Sequence, residues 1–291
     1  MHRAWLSLLL RLSLWALLLS PSVHAADDPA WMTPITPFRI ADNLYYVGSR
    51  DLASYLLVTP QGDVLINSNF EASVPQIRHS VEQLGFQFTD IRILLISHAH
   101  SDHDAGSAAI KRATGAQYMV MDGDVPVVES GGKRDFQYPQ DGYPPVKVDR
   151  VLHDGDEVRL GGTVLVAHKT PGHTRGCTTW TFKVSDQGHP LNVVIVGSWN
   201  VNPGYRLVDR PGQPASYPGI ANDFRHTFAV LKQLPCDIFL GAHGEYFDML
   251  NKLDRRTPET AVTVWIDPKG YQARVQERET AFLSELARQS H

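Results

Sequence analysis

Ser97 to Gly106 reads S-H-A-H-S-D-H-D-A-G, which places His98, His100, Asp102 and His103 within six residues. Imidazole and carboxylate suit a borderline-soft ion such as Zn²⁺ when a bound water must stay reactive. Two further histidines sit in turn-rich surroundings, in Pro171-Gly172-His173-Thr174 and Gly241-Ala242-His243-Gly244. Together these six side chains are too many for one tetrahedral ion. A natural division gives His98, His100 and His173 to one ion and Asp102, His103 and His243 to a second. Each ion then keeps an open position, the mark of a catalytic site. Water held between two zinc ions loses a proton near neutral pH and becomes a nucleophile. The spacing therefore points to two Zn²⁺ ions and to hydrolysis, although cobalt or iron would suit the same ligands. His153, His168, His189 and His226 lack comparable contexts and read as structural; His79 falls on the polar side of an expected helix.

The flanking chain must present these groups together. The apolar run Ile91–Ile96 predicts a buried strand just before the motif, and Ala105–Ala113 a helix just after it. Loops at the C-terminal ends of strands are where open α/β sheets hold ligands. Further strands are expected at Leu44–Val47, Tyr55–Val58, Val64–Ile66 and Gln117–Met121, with a helix over Ala72–Leu84. The second half alternates in the same way. A meander is expected over Asp149–His168, then strands at Thr178–Val184, Asn192–Gly197 and Asp237–Leu240, and helices at Phe224–Leu234 and Tyr271–Arg288. With no linker between the halves, residues 26–291 read as one catalytic domain of two packed αβ halves. Gly123–Val146 reads as a solvated excursion, with a substrate-facing lid as the alternative.

Composition bounds the function classes. The chain has 291 residues, 43% hydrophobic and 20% charged, as expected of a globular protein. A formal net charge of −4 gives no electrostatic case for nucleic acid. Arg3, the leucine-rich stretch to Leu19, the Ser20-Pro21-Ser22 break and Val23-His24-Ala25 read as a secretory signal peptide, residues 1–25, cut before Ala26. Cleavage removes two arginines and no acids, taking the net charge to −6. The mature chain is then expected in the periplasm or outside the cell, off the membrane and monomeric. Cys177 and Cys236 are the two cysteines. Export permits a disulfide between them, but their spacing does not call for one.

These residues resemble the metallo-β-lactamase superfamily, whose signature is a His-x-His-x-Asp-His loop with two later histidines. Asp51-Leu52-Ala53-Ser54-Tyr55, Ser130-Gly131-Gly132-Lys133, Pro171–Gly176 and Asn202-Pro203-Gly204-Tyr205 look like the third subclass of the true metallo-β-lactamases. The resemblance runs from about Pro37 to the C-terminus. It implies a four-layer αββα sandwich with a di-zinc site at the edge of the two sheets. It also implies a secreted enzyme that opens the ring of penicillins, cephalosporins and carbapenems through a zinc-bound hydroxide and so confers antibiotic resistance. Asp102 would orient the nucleophile, and Ser198, Asn202 and Tyr205 would contact substrate. Glyoxalase II enzymes and quorum-signal lactonases place a metal-bridging Asp after the strand corresponding to Asn192–Gly197, and first-subclass lactamases a Cys near the same point. Here Ser198 follows Gly197, which argues against those hydrolases. Relatives often pair a cysteine matching Cys236 with one near the terminal helix. Asp267–Tyr271 offers none, so the last helix is expected to be anchored by packing alone. The alternatives are another zinc hydrolase of this fold, such as a lactonase or thioesterase, and a zinc-binding protein without useful turnover.

Overall fold

The computed structural model describes residues 28–291; the expected signal peptide, residues 1–25, lies outside them. Two sheets form the centre of the molecule. The first runs in sequence order through β1 (Phe38–Ala41), β2 (Leu44–Tyr46), β3 (Tyr55–Leu57), β4 (Asp63–Ile66), β5 (Ile91–Leu95), β6 (Gln117–Met121) and β7 (Arg150–Leu152). Its first four strands pair antiparallel and its last four parallel. The continuous apolar runs at β3 to β6 follow from burial on both faces, since alternate side chains leave a strand on opposite sides. Tyr55, Leu57, Val64, Ile66, Ile93, Leu95, Met119 and Met121 join one core. Leu56, Leu65, Leu94, Tyr118 and Val120 join another, packed with Ile77 and Val81 of α1 (Val74–Gln83) and Ile110 of a helix over Ser107–Thr114.

The first core is shared with the second sheet. Its strands are β8 (Glu157–Leu160), β9 (Thr163–Lys169), β10 (Thr178–Asp186), β11 (His189–Val196) and β12 (Ile238–Gly241), in the order β12-β11-β10-β9-β8. Helices over Ile220–Leu231 and Pro268–Ser290 lie against this sheet, their Phe224, Phe228 and Phe282 rings stacked with centroids 5.3 and 5.8 Å apart. The fold is thus an αββα sandwich, as expected. No helix among the described residues is long and apolar enough to cross a membrane.

Three local expectations are corrected. The segment Asp149–His168 is not one meander: β7 joins the first sheet beside β6, whereas β8 and β9 belong to the second. The helix expected from Ala105 starts two residues later, as α3 (Ser107–Thr114) after Gly106, where an added Cβ would lie 2.6 Å from the Ser68 carbonyl. A separate turn that was not expected, α2 (Ser101–Asp104), lies within the motif itself. Gly123–Val146 is not a solvated excursion. It contains α4 (Val125–Glu129) and folds inward, with Tyr143 Oη donating to the Ala99 carbonyl at 2.8 Å.

Cys177 and Cys236 are free thiols. The terminal helix buries Tyr271, Val275, Phe282 and Leu286, each worth about 1.5–3 kcal/mol, enough to hold it without a covalent tie. Packing is not its only anchor. Tyr271 Oη donates to the Leu231 carbonyl at 2.7 Å, Asp267 pairs with buried Lys252 at 2.9 Å, and Gln289 accepts from Leu207 N at 2.7 Å and donates to Tyr205 O at 2.8 Å.

Candidate metal centre

The motif leaves the end of β5 under constraint from both sheets. Trp180 Nε1 of β10 donates to the Ile96 carbonyl at 3.0 Å, and Thr178 N donates to the Ser97 carbonyl at 2.8 Å. Ser97 N donates to Asn67 Oδ1 at 2.7 Å. His98 and His100 lie on the loop so fixed. His100 has the extended backbone of a helix-capping position, and α2 then carries Asp102 and His103 back toward it. His173 lies on the turn between β9 and β10. Gly172 before it has φ of +126°, and a Cβ there would meet the Phe224 ring at 2.7 Å, so only glycine fits. His243 follows β12 and bridges to Leu52 of the loop before β3.

All six expected ligands converge. The ligating atoms of His98, His100 and His173 lie within 4.8 Å of one another, with ring centroids 4.6 to 4.8 Å apart. His98 also lies within that distance of Asp102 and His103, so the two triads abut at His98. In the second triad Asp102 Oδ2 is 3.2 Å from His103 Nε2 and 3.5 Å from His243 Nε2, and the two Nε2 atoms are 3.2 Å apart. Bonds of 2.0–2.1 Å to a tetrahedral ion give ligand–ligand edges of about 3.3–3.4 Å, so these side chains fit a zinc-sized ion without rearrangement. Buried His98 Nδ1, His100 Nε2 and His103 Nδ1 have no hydrogen-bond partner among the described residues.

Outer groups orient the rings. His173 Nδ1 donates to the Asn200 carbonyl at 2.8 Å, and His243 Nδ1 meets Asp51 Oδ2 at 2.8 Å, so each turns its Nε2 to the centre. Asp51 is itself held by Glu245 N at 2.8 Å. Asp135 Oδ2 lies 3.5 Å from His100 Nε2, and its other oxygen accepts from Gln137 N and Tyr138 N, both at 2.7 Å. Burial, and then the neighbouring His100, lower His173 to about 3. Burial and His103 likewise hold His98 well below the ordinary imidazole value. Burial opposes ionisation of Asp102, but His103 and His243 outweigh it and keep the carboxyl well below its usual range. Neutral imidazole and ionised carboxylate are the ligating forms, which these three groups favour. Burial opposes the proton on His243 and His100 too, but Asp102 and Asp51 raise His243 to about 9 and Asp135 raises His100, so an ion must displace a proton there.

The centre opens into a cavity of about 760 Å³. Trp31, Phe70 and Tyr143 supply apolar wall, and Tyr138, Asn200, Asn202 and Tyr246 supply polar groups.

Residues 51–243 match the metallo-beta-lactamase superfamily. The chain belongs to that superfamily. The chain is also similar to solved enzymes over nearly its whole described length. FEZ-1, a metallo-beta-lactamase from Legionella gormanii, is 53% identical with a TM-score of 0.83, the match covering 89% of this chain and 98% of that one. BJP-1, a subclass B3 metallo-beta-lactamase of Bradyrhizobium japonicum, is 37% identical with a TM-score of 0.82, covering 90% and 97%. LRA-12, a class B3 di-zinc metallo-beta-lactamase from an Alaskan soil metagenome, is 35% identical with a TM-score of 0.79, covering 89% and 97%. Curated sequence relatives match less of the chain. A probable metallo-hydrolase of Burkholderia pseudomallei is 30% identical over 50% of this chain and 49% of its own length. A hydroxyacylglutathione hydrolase of Methylobacterium is 32% identical over 35% and 32%. The chain thus spans half or less of these curated relatives.

The fold separates the three residues expected to touch substrate. Asn202 lines the cavity and donates to Tyr138 Oη at 3.1 Å. Ser198 and Tyr205 do not line it; they are 1% and 2% exposed. Tyr205 Oη instead donates to the His173 carbonyl at 2.7 Å. Ser198 Oγ lies 3.1 Å from Tyr246 Oη, which also accepts from Asn200 Nδ2 at 3.2 Å. Both act from behind the wall, Ser198 through Tyr246 and Tyr205 through the His173 carbonyl. Asn200, Tyr246, Tyr138 and Asp135 were missed in the sequence. Tyr246, three residues after His243, carried the nearest thing to a signal.

Proposed function

We propose that this chain is a secreted or periplasmic zinc β-lactamase that opens the ring of penicillins, cephalosporins and carbapenems, and so protects its host from these antibiotics. The observation that carries the reading is the position after Gly197. Ser198 there is buried against Tyr246, where a bridged thioesterase or lactonase would need a carboxylate. Similarity to FEZ-1, BJP-1 and LRA-12 over 89–90% of the chain supports it. His98, His100 and His173 would hold one Zn²⁺, and Asp102, His103 and His243 a second. When bound, the ions supply Lewis-acid activation of water and of the ring carbonyl near neutral pH. The chain's own residues do the rest. Asp51 and the Asn200 carbonyl fix the faces of His243 and His173, and Asp102 presents an ionised oxygen toward the reacting centre. Asn202, Asn200 and Tyr138 offer hydrogen bonds to the amide and carboxylate of the substrate. Trp31, its ring centroid 5.5 Å from that of His243, and Phe70 give an apolar surface for ring substituents.

The test is hydrolysis of a cephalosporin and a carbapenem by the mature protein, followed by loss of ring absorbance, with and without chelator. Turnover of both, abolished by chelator and restored by Zn²⁺, is expected. No lactam turnover with two zinc ions bound would refute the reading, and turnover of a lactone or thioester alone would establish the other zinc hydrolase in its place.

A further inference from the structure

Asp124 opens α4 and is 1% exposed, yet its carboxylate makes no capping bond to that helix. Asp is among the best N-cap residues, so a side chain that forgoes this bond is held elsewhere. Its Oδ2 accepts from Ala99 N at 3.0 Å and from Thr174 Oγ1 at 2.8 Å, and its Oδ1 accepts from Gly176 N at 2.8 Å. Ala99 sits between His98 and His100, and Thr174 follows His173. One buried anion therefore joins the two loops that carry the first triad. Its carboxylate makes no hydrogen bond to the His243 loop among the described residues and does not line the cavity.

The backbones around it are in direct contact. A Cβ on Gly176 would lie 2.4 Å from Asp124 N, and one on Gly123 would lie 2.3 Å from the Arg175 carbonyl. The three donors are two amides and a hydroxyl, which a carboxylate satisfies with acceptors alone. An amide in the same shape would turn an N–H toward a backbone N–H, whichever way it was flipped.

We infer that Asp124 is a positioning residue for the first metal triad: it sets the separation of the His98–His100 loop from His173, and with it the affinity of that site for its ion. This rests on the two-metal reading above. Partners of this kind commonly tune metal affinity about 10–100-fold. The test titrates the metal-stripped full mature chain with Co²⁺, following the metal absorption bands, and repeats the titration with Zn²⁺. His173→Ala and His243→Ala identify which step belongs to which triad. Asp124→Asn is expected to weaken the first-triad step about 10–100-fold and to leave the other within about threefold. Thr174→Val, which removes one donor, should weaken the same step by a smaller factor. Both steps unchanged, or both weakened equally, would overturn the inference, since a general loosening of the fold does not choose between triads. If Asp124→Asn does not fold, Thr174→Val decides: no weakening of the first-triad step overturns it. If the wild type binds a single ion, the two-metal reading fails, and the inference still stands or falls on whether the variants weaken that ion.

Discussion

Replacing Tyr205 by Phe removes one oxygen atom and leaves the ring, which packs on Phe136 with centroids 5.1 Å apart. What is lost is the 2.7 Å hydrogen bond to the His173 carbonyl. Among the described residues no other protein donor reaches that carbonyl. Leaving a buried acceptor unpaired costs about 1–3 kcal/mol, more than the net value of an ordinary hydrogen bond. At about 2 cal/mol/K per residue, a domain of this size should lose about 2–6 °C of Tm. The His173 backbone should relax, so kcat falls modestly while KM for a cephalosporin stays within about twofold, because the phenol never faces substrate. Circular dichroism melts of the metal-loaded and metal-stripped proteins, beside steady-state kinetics, separate the effects. A KM raised tenfold or more with an unchanged Tm would refute the reasoning and restore Tyr205 as a direct substrate contact.

Asp102→Ala should abolish turnover far more completely than Tyr205→Phe, as measured by kcat on the same cephalosporin; similar small losses would break the ligand assignment. Asp51→Ala frees His243 Nδ1 and should weaken one metal step about 10–100-fold in a dialysis titration, leaving the His98–His100–His173 step intact. Burial pushes the Asp63 carboxyl up to about 6, against a weak hydrogen bond from Thr59. Its folded pKa is therefore raised above the unfolded value of about 3.9, so folding favours the proton. The associated stability is fully present below about pH 4 and is lost as the pH rises to about 6. Asp63→Asn should accordingly raise Tm at pH 8 relative to wild type and converge with it near pH 4. Scanning calorimetry at the two pH values checks this, and a larger gain at the acidic end would contradict it.

Much of the site was legible because metal ligation concentrates unusual residues. His98, His100, Asp102 and His103 are dense enough to stand out, and His173 and His243 each follow a strand-like run among glycines. The strand β1, Phe38–Ala41, with exposed Arg39 in its four residues, was not expected, whereas the strands β2 to β6 were nearly as plain as the ligands, since burial makes their apolar runs continuous. Sheet membership was not. Arg150–Leu152 sits next to β8 in the chain but pairs with β6 in the other sheet. A strand's periodicity carries no record of its partner.

The candidate ligands and their strand-and-loop setting were thus legible in the sequence alone, because each side chain's type and immediate neighbours already mark it. Tertiary structure alone decided how those ligands are held and what faces the substrate. Asp51 reaches His243 across 192 positions of chain, and Asp124 reaches Ala99 across 25. Ser198, Asn202 and Tyr205 lie within eight residues, yet only Asn202 reaches the cavity. The physical reason is that the direction of a loop side chain is set by whatever packs behind it. Here that backing is the face-to-face stacking of two sheets, which no local pattern encodes.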